Sequence, residues 1–594
     1  MIRYTISLLI MLTAALGVVG QAPVDSVQTD SAKYSTFDPV EPRISRTIPP
    51  VPSPSAVFHI FGVCPDLHPF EGSIADPVLL PRISSTFNSV PYPSRLHEPL
   101  AETSIYRTYY SVGMIANAGN SKLAPYYISS NNGGNITQQY SALMNVSLFH
   151  NTDPSKRFAW GVGVEVWGGY ASSAGYQRYV GNGQFNVQKQ HPARVWVQQA
   201  YLTAKYRSIF AMAGQAYKYS PIVTELSSGD LVWSINFRPP VGLRAGFINF
   251  QNIPFTKGWV QIKGEFGYFR QFDDKWLENH YNYYNHFITT DFWLHYKSLH
   301  FRTDPNQPVV FTIGAQSACQ FGGNATYYED GQVTNTVKMK TDAKAFFRTF
   351  IAGSGGKSAG DSFVEGNHLG TWDIALEYKL KDGRTLRAYT QWLWEDGSGI
   401  GKMNGFDGLW GLEYRNGVWS PLIEGAVIEY IDFTNQSGPI HWTPNDNPGT
   451  PITSHSSGAD DYYNNYIYNG YQSRGMSIGS PFVKSPLYNY DGYMRYRDNV
   501  IRGFHAAITG WLHEDWRYRL LGSYRKAWGT PIIPRAGSVD DFSMALSIQY
   551  HPGYKYLGWM FNATLAMDRG KLYGNNWGAV LGITYCGTFN FKKR

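Results

Sequence analysis

Residues 372–380 read Trp-Asp-Ile-Ala-Leu-Glu-Tyr-Lys-Leu, and they decide the class of fold. Trp372, Ile374, Leu376 and Tyr378 fall on one face of an extended chain, whereas the residues between them are Asp, Ala, Glu and Lys. Alternation with a period of two residues is typical of a β-strand that has one apolar face and one polar face.

The same alternation recurs along the chain at residues 260–269, 541–550 and 577–586. In the stretch 541–550, for example, Phe, Met, Leu, Ile and Tyr alternate with Asp, Ser, Ala, Ser and Gln. The chain from about residue 104 onward is therefore predicted to be all-β.

The composition excludes several classes of protein. Among 594 residues, 16% are charged, against roughly 25% in ordinary soluble proteins, and another 16% are aromatic. Three cysteines cannot supply a disulfide framework. A net charge of +7 from scattered basic residues argues against nucleic-acid binding. A helical membrane protein is excluded because, after residue 20, the sequence lacks an uncharged apolar run of about 18 residues.

The first hundred residues differ from the rest. Residues 1–20 carry Arg3 followed by the apolar stretch 6–16, the pattern of a cleaved secretory signal peptide. Residues 21–103 hold 14 of the 33 prolines, so they are predicted to form an irregular, Pro-rich periplasmic segment. Short apolar stretches within this segment could dock on the main body of the protein or on the cell wall.

Two architectures produce alternating strands: a soluble sandwich or propeller with apolar faces inward, and a membrane β-barrel with apolar faces outward. Secretion and the clusters of tyrosine at strand ends favour the barrel. Residues 104–594 are therefore predicted to form a transmembrane antiparallel outer-membrane β-barrel with a polar lumen, in a Gram-negative bacterium. Their length suffices for roughly 16–18 strands.

The end of the chain supports the same prediction. Tyr585, Phe589 and Phe591 alternate close to the C-terminus and are followed by Lys592, Lys593 and Arg594. A final strand rich in aromatic residues resembles the signal that the barrel-assembly machinery reads, although the basic tail departs from it. Outer-membrane lipid and that machinery are the partners expected of such a chain, which we expect to be a monomer. Two polar inserts, residues 324–363 and 441–470, are predicted to be extracellular loops.

The sequence offers little that an enzyme would need. The motifs His-Glu-x-x-His and Cys-x-x-Cys do not occur in it. Residues 356–358, Gly-Lys-Ser, lack the glycine that a phosphate-binding loop places five positions earlier. The adjacent acidic pairs at 273–274, 460–461 and 540–541 would point to opposite faces of a strand. We expect a protein that is not an enzyme and holds neither a metal nor a cofactor.

A stretch rich in tyrosine and asparagine favours sugar binding. Residues 460–466 read Asp-Asp-Tyr-Tyr-Asn-Asn-Tyr. An aromatic ring can cover the apolar face of a sugar, while Asn, Asp, Gln and Arg side chains hydrogen-bond its hydroxyl groups. The alternative, a tyrosine girdle at the membrane interface, explains the two asparagines less well.

The order of short motifs along residues 195–490 resembles the Wzi family of capsule-assembly outer-membrane proteins. The motifs include Leu-Ser-Ser-Gly-Asp-Leu at 226–231, Lys-Gly-Glu-Phe-Gly at 263–267, Leu-His-Tyr-Lys-Ser-Leu at 294–299, Glu-Asp-Gly-Ser-Gly at 395–399, Asp-Gly-Leu-Trp-Gly at 407–411 and Asn-Gln-Ser-Gly-Pro at 435–439. The resemblance implies a barrel of about eighteen strands that acts as a lectin. Such a protein holds capsular or related polysaccharide at the cell surface without making or breaking bonds.

Alternation and these motifs together give two sets of candidate residues. Near the loop-like inserts, the side chains suited to glycan binding are Asn435, Gln436, Tyr463, Asn464, Asn465 and Arg474. On the strands, a luminal network of polar and charged side chains is predicted from Arg244, Gln261, Lys263, Glu265, His295 and Lys297. An unpaired charge facing lipid would cost several kcal/mol, so we expect the second set to point inward and pair. That set could close the pore or contact glycan.

Two other functions remain open from the sequence. An outer-membrane porin or channel for small or oligosaccharide solutes would share the same strand pattern. A soluble, secreted carbohydrate enzyme would need two carboxylates that meet across strands.

Overall fold

The computed structural model describes residues 108–153, 156–352, 365–395, 397–416, 422–438, 441–442, 456–457, 460–513, 515–552 and 558–589. The predicted signal peptide, the Pro-rich segment 21–103 and residues 590–594 lie outside these ranges, and the predictions made for them stay predictions. The barrel predicted for residues 104–594 extends from Thr108 to Phe589 in the structure.

One closed antiparallel barrel accounts for the main sheet. That sheet holds 19 strand segments, and two of them, Val241–Phe247 and Gln251–Asn252, pair side by side with the same neighbour, which leaves eighteen strands. We number them β1 Thr108–Leu123, β2 Gln138–His150, β3 Phe158–Ala171, β4 Val195–Tyr206, β5 Ile209–Gln215, β6 Val241–Phe247 with Gln251–Asn252, β7 Val260–Arg270, β8 Trp293–Thr303, β9 Val309–Phe321, β10 Asn367–Lys379, β11 Thr385–Trp394, β12 Gly408–Arg415, β13 Gly425–Asp432, β14 Ile501–His513, β15 Trp516–Gly529, β16 Pro534–Tyr550, β17 Trp559–Gly570 and β18 Asn576–Phe589.

Each strand pairs with the next, and the last pairs with the first. The closing register runs from Thr108↔Phe589 to Gly119↔Gly578. A closed sheet satisfies every ladder and leaves no strand edge, which is what a bilayer demands of a spanning structure. The predicted fold, an outer-membrane β-barrel of about eighteen strands, is confirmed.

The two ends of the barrel differ in their connections. At the end where β1 begins and β18 finishes, strands are joined by short connections such as 207–208, 304–308 and 380–384. At the opposite end the connections include 172–194, 216–240, 271–292 and the stretch 433–500. We call these the turn end and the loop end. In outer-membrane barrels the longer loops are extracellular.

The strand faces are arranged as the alternation predicts. On β16, Phe542, Met544 and Leu546 are exposed, whereas Asp541 and Ser543, which alternate with them, are buried. On β10, Leu376 and Tyr378 are likewise exposed. The apolar rows therefore form the outer, lipid-facing surface and do not pack together as a dry interior.

Smaller elements gather at the loop end. They are two hairpins, Ala174–Gly181 with Gln184–Gln190 and Asn324–Glu329 with Gln332–Lys338, a strand Phe287–Thr290 that pairs with the second hairpin, the two-residue strands His441–Trp442, Ser456–Ser457, Gln472–Ser473 and Met476–Ser477, the α-helices α1 Tyr126–Ser129, α2 Trp276–His280, α3 Ala343–Ile351 and α4 Gly397–Ile400, and a 3₁₀ turn Pro486–Tyr488. The insert predicted as a loop at 324–363 thus holds a hairpin and a helix in its described part. Within the described residues, no helix has the length and apolarity to cross a membrane.

Candidate functional site

Two stretches of chain enter the barrel from the loop end and fill its interior. The first, residues 216–240 between β5 and β6, is called the luminal segment. The second, residues 460–500 before β14, is called the capping segment. Buried side chains of the two segments form the largest apolar cluster of the described residues, together with inward side chains of the wall. The members from the two segments include Leu231, Trp233, Phe237, Tyr471 and Phe482.

Asp230 fixes the luminal segment to the wall. One carboxylate oxygen accepts the backbone N–H groups of Val232 and Trp233 at 2.8 and 2.9 Å. The other accepts the side-chain amides of Gln316 on β9 at 3.1 Å and Gln391 on β11 at 2.9 Å. Asp230 is 3% exposed, and hydrogen bonds to a buried carboxylate are among the stronger ones in proteins.

The glutamine amides also hold the backbone and a second carboxylate. Gln391 Oε1 accepts the N–H of Leu231 at 3.1 Å. Gln316 Nε2 donates to Asp373 Oδ2 at 3.0 Å, and the same oxygen lies 2.8 Å from His300 Nε2. Four wall strands, β8 to β11, and the luminal segment therefore share one buried network.

A second attachment lies on β13 and β14. Glu429 accepts the N–H of Ser228 at 2.7 Å and the hydroxyl of Tyr389 at 2.5 Å. His505 Nε2 lies 2.8 Å from the carbonyl oxygen of Leu226. Both ends of the stretch 226–231 are thus hydrogen-bonded to the wall.

A third attachment is ionic. The guanidinium of Arg415 on β12 contacts Glu225 Oε1 at 2.9 Å and Glu413 Oε1 at 2.6 Å. Thr224 Oγ1 donates to Glu413 Oε1 at 2.9 Å. The luminal segment is therefore bound by charged groups as well as by amides.

The capping segment covers the luminal segment from the loop end. The hydroxyl groups of Tyr463 and Tyr471 donate to the carbonyl oxygens of Leu231 and Val232, each at 2.9 Å. The backbone N–H of Ser234 donates to the carbonyl of Ile478 at 2.9 Å. Across the described chain, these packed layers close the lumen, whereas the sequence left open that charged side chains of the strands would do so.

Above these layers, aromatic and basic side chains face outward. Tyr466 is 54% exposed, and its ring lies 5.3 Å from His286 and 5.0 Å from Phe287. The guanidinium of Arg495 lies 5.4 Å from the Tyr466 ring and 5.5 Å from the Tyr493 ring.

The guanidinium of Arg497 lies 4.4 Å from the Tyr493 ring, and Arg497 also pairs with Asp491. We call His286, Phe287, Tyr466, Tyr493, Arg495 and Arg497 the outer platform; Phe287 is buried in it, and the other five side chains are exposed or half-buried. Burial and the nearby charge of Arg495 lower the pKa of His286, so that its imidazole is neutral at pH 7. The platform is therefore an aromatic surface with two guanidinium groups and a neutral imidazole.

Three of the predicted glycan-binding residues are held inside the protein. Gln436 is 1% exposed, and its amide donates to the carbonyls of Phe433 and Asn499 at 2.9 and 3.1 Å. Tyr463 is fully buried and bonded to Leu231 as described. Asn464 donates to the Tyr496 carbonyl at 2.8 Å and accepts the Tyr496 N–H at 2.7 Å. These contacts shape the capping segment.

The other three lie closer to the surface but apart from one another. Asn435 is exposed, and its backbone N–H donates to Asp407 Oδ1 at 3.0 Å. Asn465 is half-buried and accepts the N–H of Ile467 at 3.0 Å, next to Tyr466 of the outer platform. Arg474 pairs with Asp274 at 2.5 Å. Glycan binding by the six residues stays a prediction.

Asp407 organises the chain around two of these candidates. Its carboxylate accepts the N–H groups of Asn435 and Gln436 at 3.0 and 2.6 Å and the Tyr462 hydroxyl at 3.0 Å. Burial raises the pKa of Asp407 to about 6, against the opposing effect of these hydrogen bonds.

Four residues of the predicted luminal network face inward but form separate contacts. Glu265 lies 3.8 Å from Lys218 of the luminal segment. Gln261 accepts Arg302 Nη2 at 2.7 Å, and Lys263 lies 6.0 Å from the Phe250 ring. Arg244 is buried against Phe210 and donates to Met212 Sδ at 3.6 Å.

His295 and Lys297 differ from the expected inward orientation. They stand opposite Tyr268 and Phe266 across β7 and β8, and Tyr268 stands opposite Leu243, which is 66% exposed on the outer surface. Residues directly opposite each other share a face of the sheet, so His295 and Lys297 point outward. The alternation was assigned to the wrong face because the inward side of β8 carries Leu294 and Tyr296, which pack on the luminal segment.

The predicted candidates did not include Asp230, Glu429 and Arg415, which hold the luminal segment, or the residues of the outer platform. The motif 226–231 served only to support the family resemblance, although it contains Asp230, which fixes the luminal segment to the wall. A signal for the platform existed: at 491–497 the residues Asp491, Tyr493, Arg495 and Arg497 alternate with Gly, Met and Tyr, which are buried. Within the described residues, His, Cys, Asp and Glu side chains do not form a group that could hold a metal ion.

Comparison with known proteins adds a likeness of overall shape. The chain is similar to the solved structure of Wzi, an outer membrane protein involved in group 1 capsule assembly in Escherichia coli and a carbohydrate-binding β-barrel, at 15% identity and a TM-score of 0.45, covering 80% of this chain and 83% of that one. OccAB2 of Acinetobacter baumannii is similar at 7% identity and a TM-score of 0.42, covering 82% and 98%. OccD3 of Pseudomonas aeruginosa is similar at 9% and 0.39, covering 82% and 91%.

At these identities and TM-scores, the likenesses carry no information about what the protein binds. No family model and no curated protein matches the chain.

Proposed function

We propose that this protein is a non-enzymatic, lectin-like barrel of the Wzi family in the outer membrane of a Gram-negative bacterium. Its role is to attach or organise capsular or related surface polysaccharide at the cell surface, and it binds the polysaccharide at the outer platform. The observation that carries the proposal is the platform itself, an aromatic and basic surface on the loop end above a closed lumen, with Tyr466 exposed and Tyr493, Arg495 and Arg497 half-buried.

The chemistry of the platform suits a sugar chain. The exposed face of Tyr466 can cover the C–H face of a pyranose ring, because aromatic rings pack well on such apolar surfaces. Arg495 and Arg497 present several N–H donors for hydroxyl or carboxylate oxygens. Asn465, adjacent to Tyr466, adds an amide at the edge of the same surface.

Glycan-array binding by the detergent-solubilised protein would test the proposal and identify the polysaccharide. We expect Tyr466→Ala and Arg495→Ala each to weaken binding of the best ligand by about tenfold, as loss of one stacking or charge-assisted contact of about 1–2 kcal/mol implies. Phe185→Ala is a matched control, because Phe185 is a comparably exposed aromatic residue, at 56%, on another connection of the loop end.

In cells, deletion of the gene should release the polysaccharide into the medium. An attached layer that is unchanged on deletion, or platform variants that bind like the wild type, would contradict the proposal.

A second candidate function is a porin or channel for small or oligosaccharide solutes. The observation that favours it is the charged inner wall, with Arg387, Glu413, Arg415 and Arg517 facing inward near the turn end. For conduction the luminal segment would have to leave the lumen, since its attachments to the wall now close it.

A further inference from the structure

Part of the outward face of the barrel is polar near the loop end. His295 and Lys297 on β8 lie beside Cys319 on β9 and His368 on β10, as the pairs His295↔Cys319 and Cys319↔His368 show. All four side chains are buried, between 0% and 8% exposed. Facing lipid directly, a lysine here would carry a large desolvation cost.

Helix α3, residues Ala343–Ile351, covers this polar site from outside the barrel. The ring of Phe346 packs among Tyr268, Trp293 and Phe321, with centroid distances of 5.0, 5.1 and 5.0 Å. Phe350, one turn further on, lies 5.6 Å from His295. Since Trp293 is nearer the loop end than Lys297, the helix descends along the wall toward the membrane.

Side chains of the wall bind the carbonyl groups at the end of α3. The hydroxyl of Tyr268 donates to the Phe346 carbonyl at 2.8 Å, and Lys297 Nζ donates to the carbonyl of Phe350. A cation at a helix C-terminus also interacts favourably with the helix dipole. At the other end, Asp342 accepts the N–H of Ala345 at 2.8 Å as an N-cap. The helix is therefore fixed in place on the wall.

The side of α3 that faces away from the barrel is apolar. Phe347 is 62% exposed and Ile351 is 37% exposed. The Phe350 ring lies 6.0 Å from Phe266, which belongs to the lipid-facing row of β7 and is 45% exposed. The exposed face of the helix is thus continuous with the surface that contacts acyl chains.

The stretch 338–344, which leads into α3 and includes its first turn, is basic. Lys338, Lys340 and Lys344 are all exposed, and the peptide group of Lys340 passes beside Gly322, at the loop end of β9. Lysines therefore lie toward the loop end, and Phe347 and Ile351 lie toward the membrane. Amphipathic helices with this division bind the interface of anionic membranes through buried apolar area and electrostatic attraction.

We propose that α3 and the three lysines form a binding site for an anionic glycolipid of the outer leaflet, one that carries several acyl chains and a phosphorylated sugar head group. The acyl chains would lie against Phe347 and Ile351, and the phosphates against Lys338, Lys340 and Lys344. The site is separate from the outer platform and does not depend on polysaccharide binding there.

Native mass spectrometry of the full-length protein in detergent, titrated with lipid A, tests this proposal. We expect saturable lipid A binding that falls by about a hundredfold or more in the triple variant Lys338→Glu, Lys340→Glu, Lys344→Glu, since each of the three lysines near an anionic surface contributes about 1 kcal/mol. Phe347→Ser with Ile351→Ser should weaken binding as well. Lys189→Glu, an exposed lysine in the hairpin strand Gln184–Gln190, should bind like the wild type.

Two further ligands separate the sources of affinity. Lipid A without phosphate should bind more weakly, and inorganic phosphate should not displace the lipid, because the site needs both the head group and the chains. Heat-modifiable electrophoretic migration shows whether each variant is folded. Lipid A binding that is equal in the wild type and both folded variants, or displaced by inorganic phosphate alone, would overturn the proposal.

Discussion

Asp230 shows what a single residue does in this barrel, because its carboxylate is hydrogen-bonded to both the luminal segment and the wall. Sequence alternation cannot identify such a residue, since Asp230 lies outside the strands and its wall partners, Gln316 and Gln391, are far away in the chain. Conversely, Gln436 and Asn464 have the chemistry of sugar-binding residues, yet their amides are bonded within the capping segment. Residue type alone does not distinguish a side chain that binds sugar from one that is hydrogen-bonded within the fold.

The first prediction concerns Asp230→Ala. The change removes the acceptor for two buried glutamine amides and two backbone N–H groups, and each unsatisfied buried group costs about 1–3 kcal/mol. Hydrogen exchange of the stretch 226–234, followed by mass spectrometry, should become at least tenfold faster. Asp382→Ala is the control, because Asp382 is an exposed aspartate, with a 50% exposed side chain, in the 380–384 turn. Unchanged protection of 226–234 in Asp230→Ala would contradict the assigned role.

The second prediction concerns the pH dependence caused by Asp407. Because burial raises its pKa to about 6, the folded protein retains a proton that the unfolded chain releases near pH 4. The stabilisation linked to this proton is complete below about pH 4 and is lost as the pH rises through about 6. Two pH units correspond to at most about 3 kcal/mol.

Thermal unfolding of the wild type and of Asp407→Asn, followed by circular dichroism in detergent between pH 4 and 7, measures this effect. The stability of the wild type relative to the variant should fall as the pH rises, because the amide does not titrate. A relative stability that is constant or increases over this range would refute the assignment of the pKa.

At the scale of elements, the strands could be predicted and the inward segments could not. Runs such as 372–380 and 541–550 carry a period of two residues because one face meets lipid and the other meets the interior. The luminal segment and most of the capping segment meet protein on all sides and show no such period; the exception is 491–497, where partly exposed residues alternate with buried ones. Helix α3 has an amphipathic pattern, but it lies in an insert whose length and polarity indicated a loop.

The third prediction concerns the contact between the luminal and capping segments at Gly229. This residue has a φ of +128°, and a Cβ there would lie 2.6 Å from Cδ of Pro481. Gly229→Ala should therefore destabilise the packed layers by about 1–3 kcal/mol through strain and overlap. Limited proteolysis within residues 460–500 should become faster.

Gly183→Ala provides the matched control for that experiment. Gly183 also has a positive φ, +73°, but a Cβ there would meet no atom within 4 Å. The control therefore carries a smaller cost of backbone conformation and no overlap. Equal proteolysis of the capping segment in the two variants would show that the close approach at Gly229 is unimportant.

At the scale of the whole molecule, the sequence predicted a closed barrel whose apolar rows face lipid, and the structure confirms it. Chain length limited the number of strands to roughly 16–18 because a membrane fixes the length of each strand, and the figure of about eighteen came from the resemblance to the Wzi family. Closure of the lumen could not be predicted in this way. It depends on hydrogen bonds between a loop and strands that are distant in sequence, and the outer platform depends on the same packing.

The central claim is that this barrel presents a binding surface above a closed lumen. Planar-bilayer conductance of the purified wild-type protein tests it most directly. We predict little or no steady current, because the luminal segment is bound to the wall through Asp230, Glu429 and Arg415. Large, stable conductance steps from the wild-type protein would contradict the claim and favour a channel.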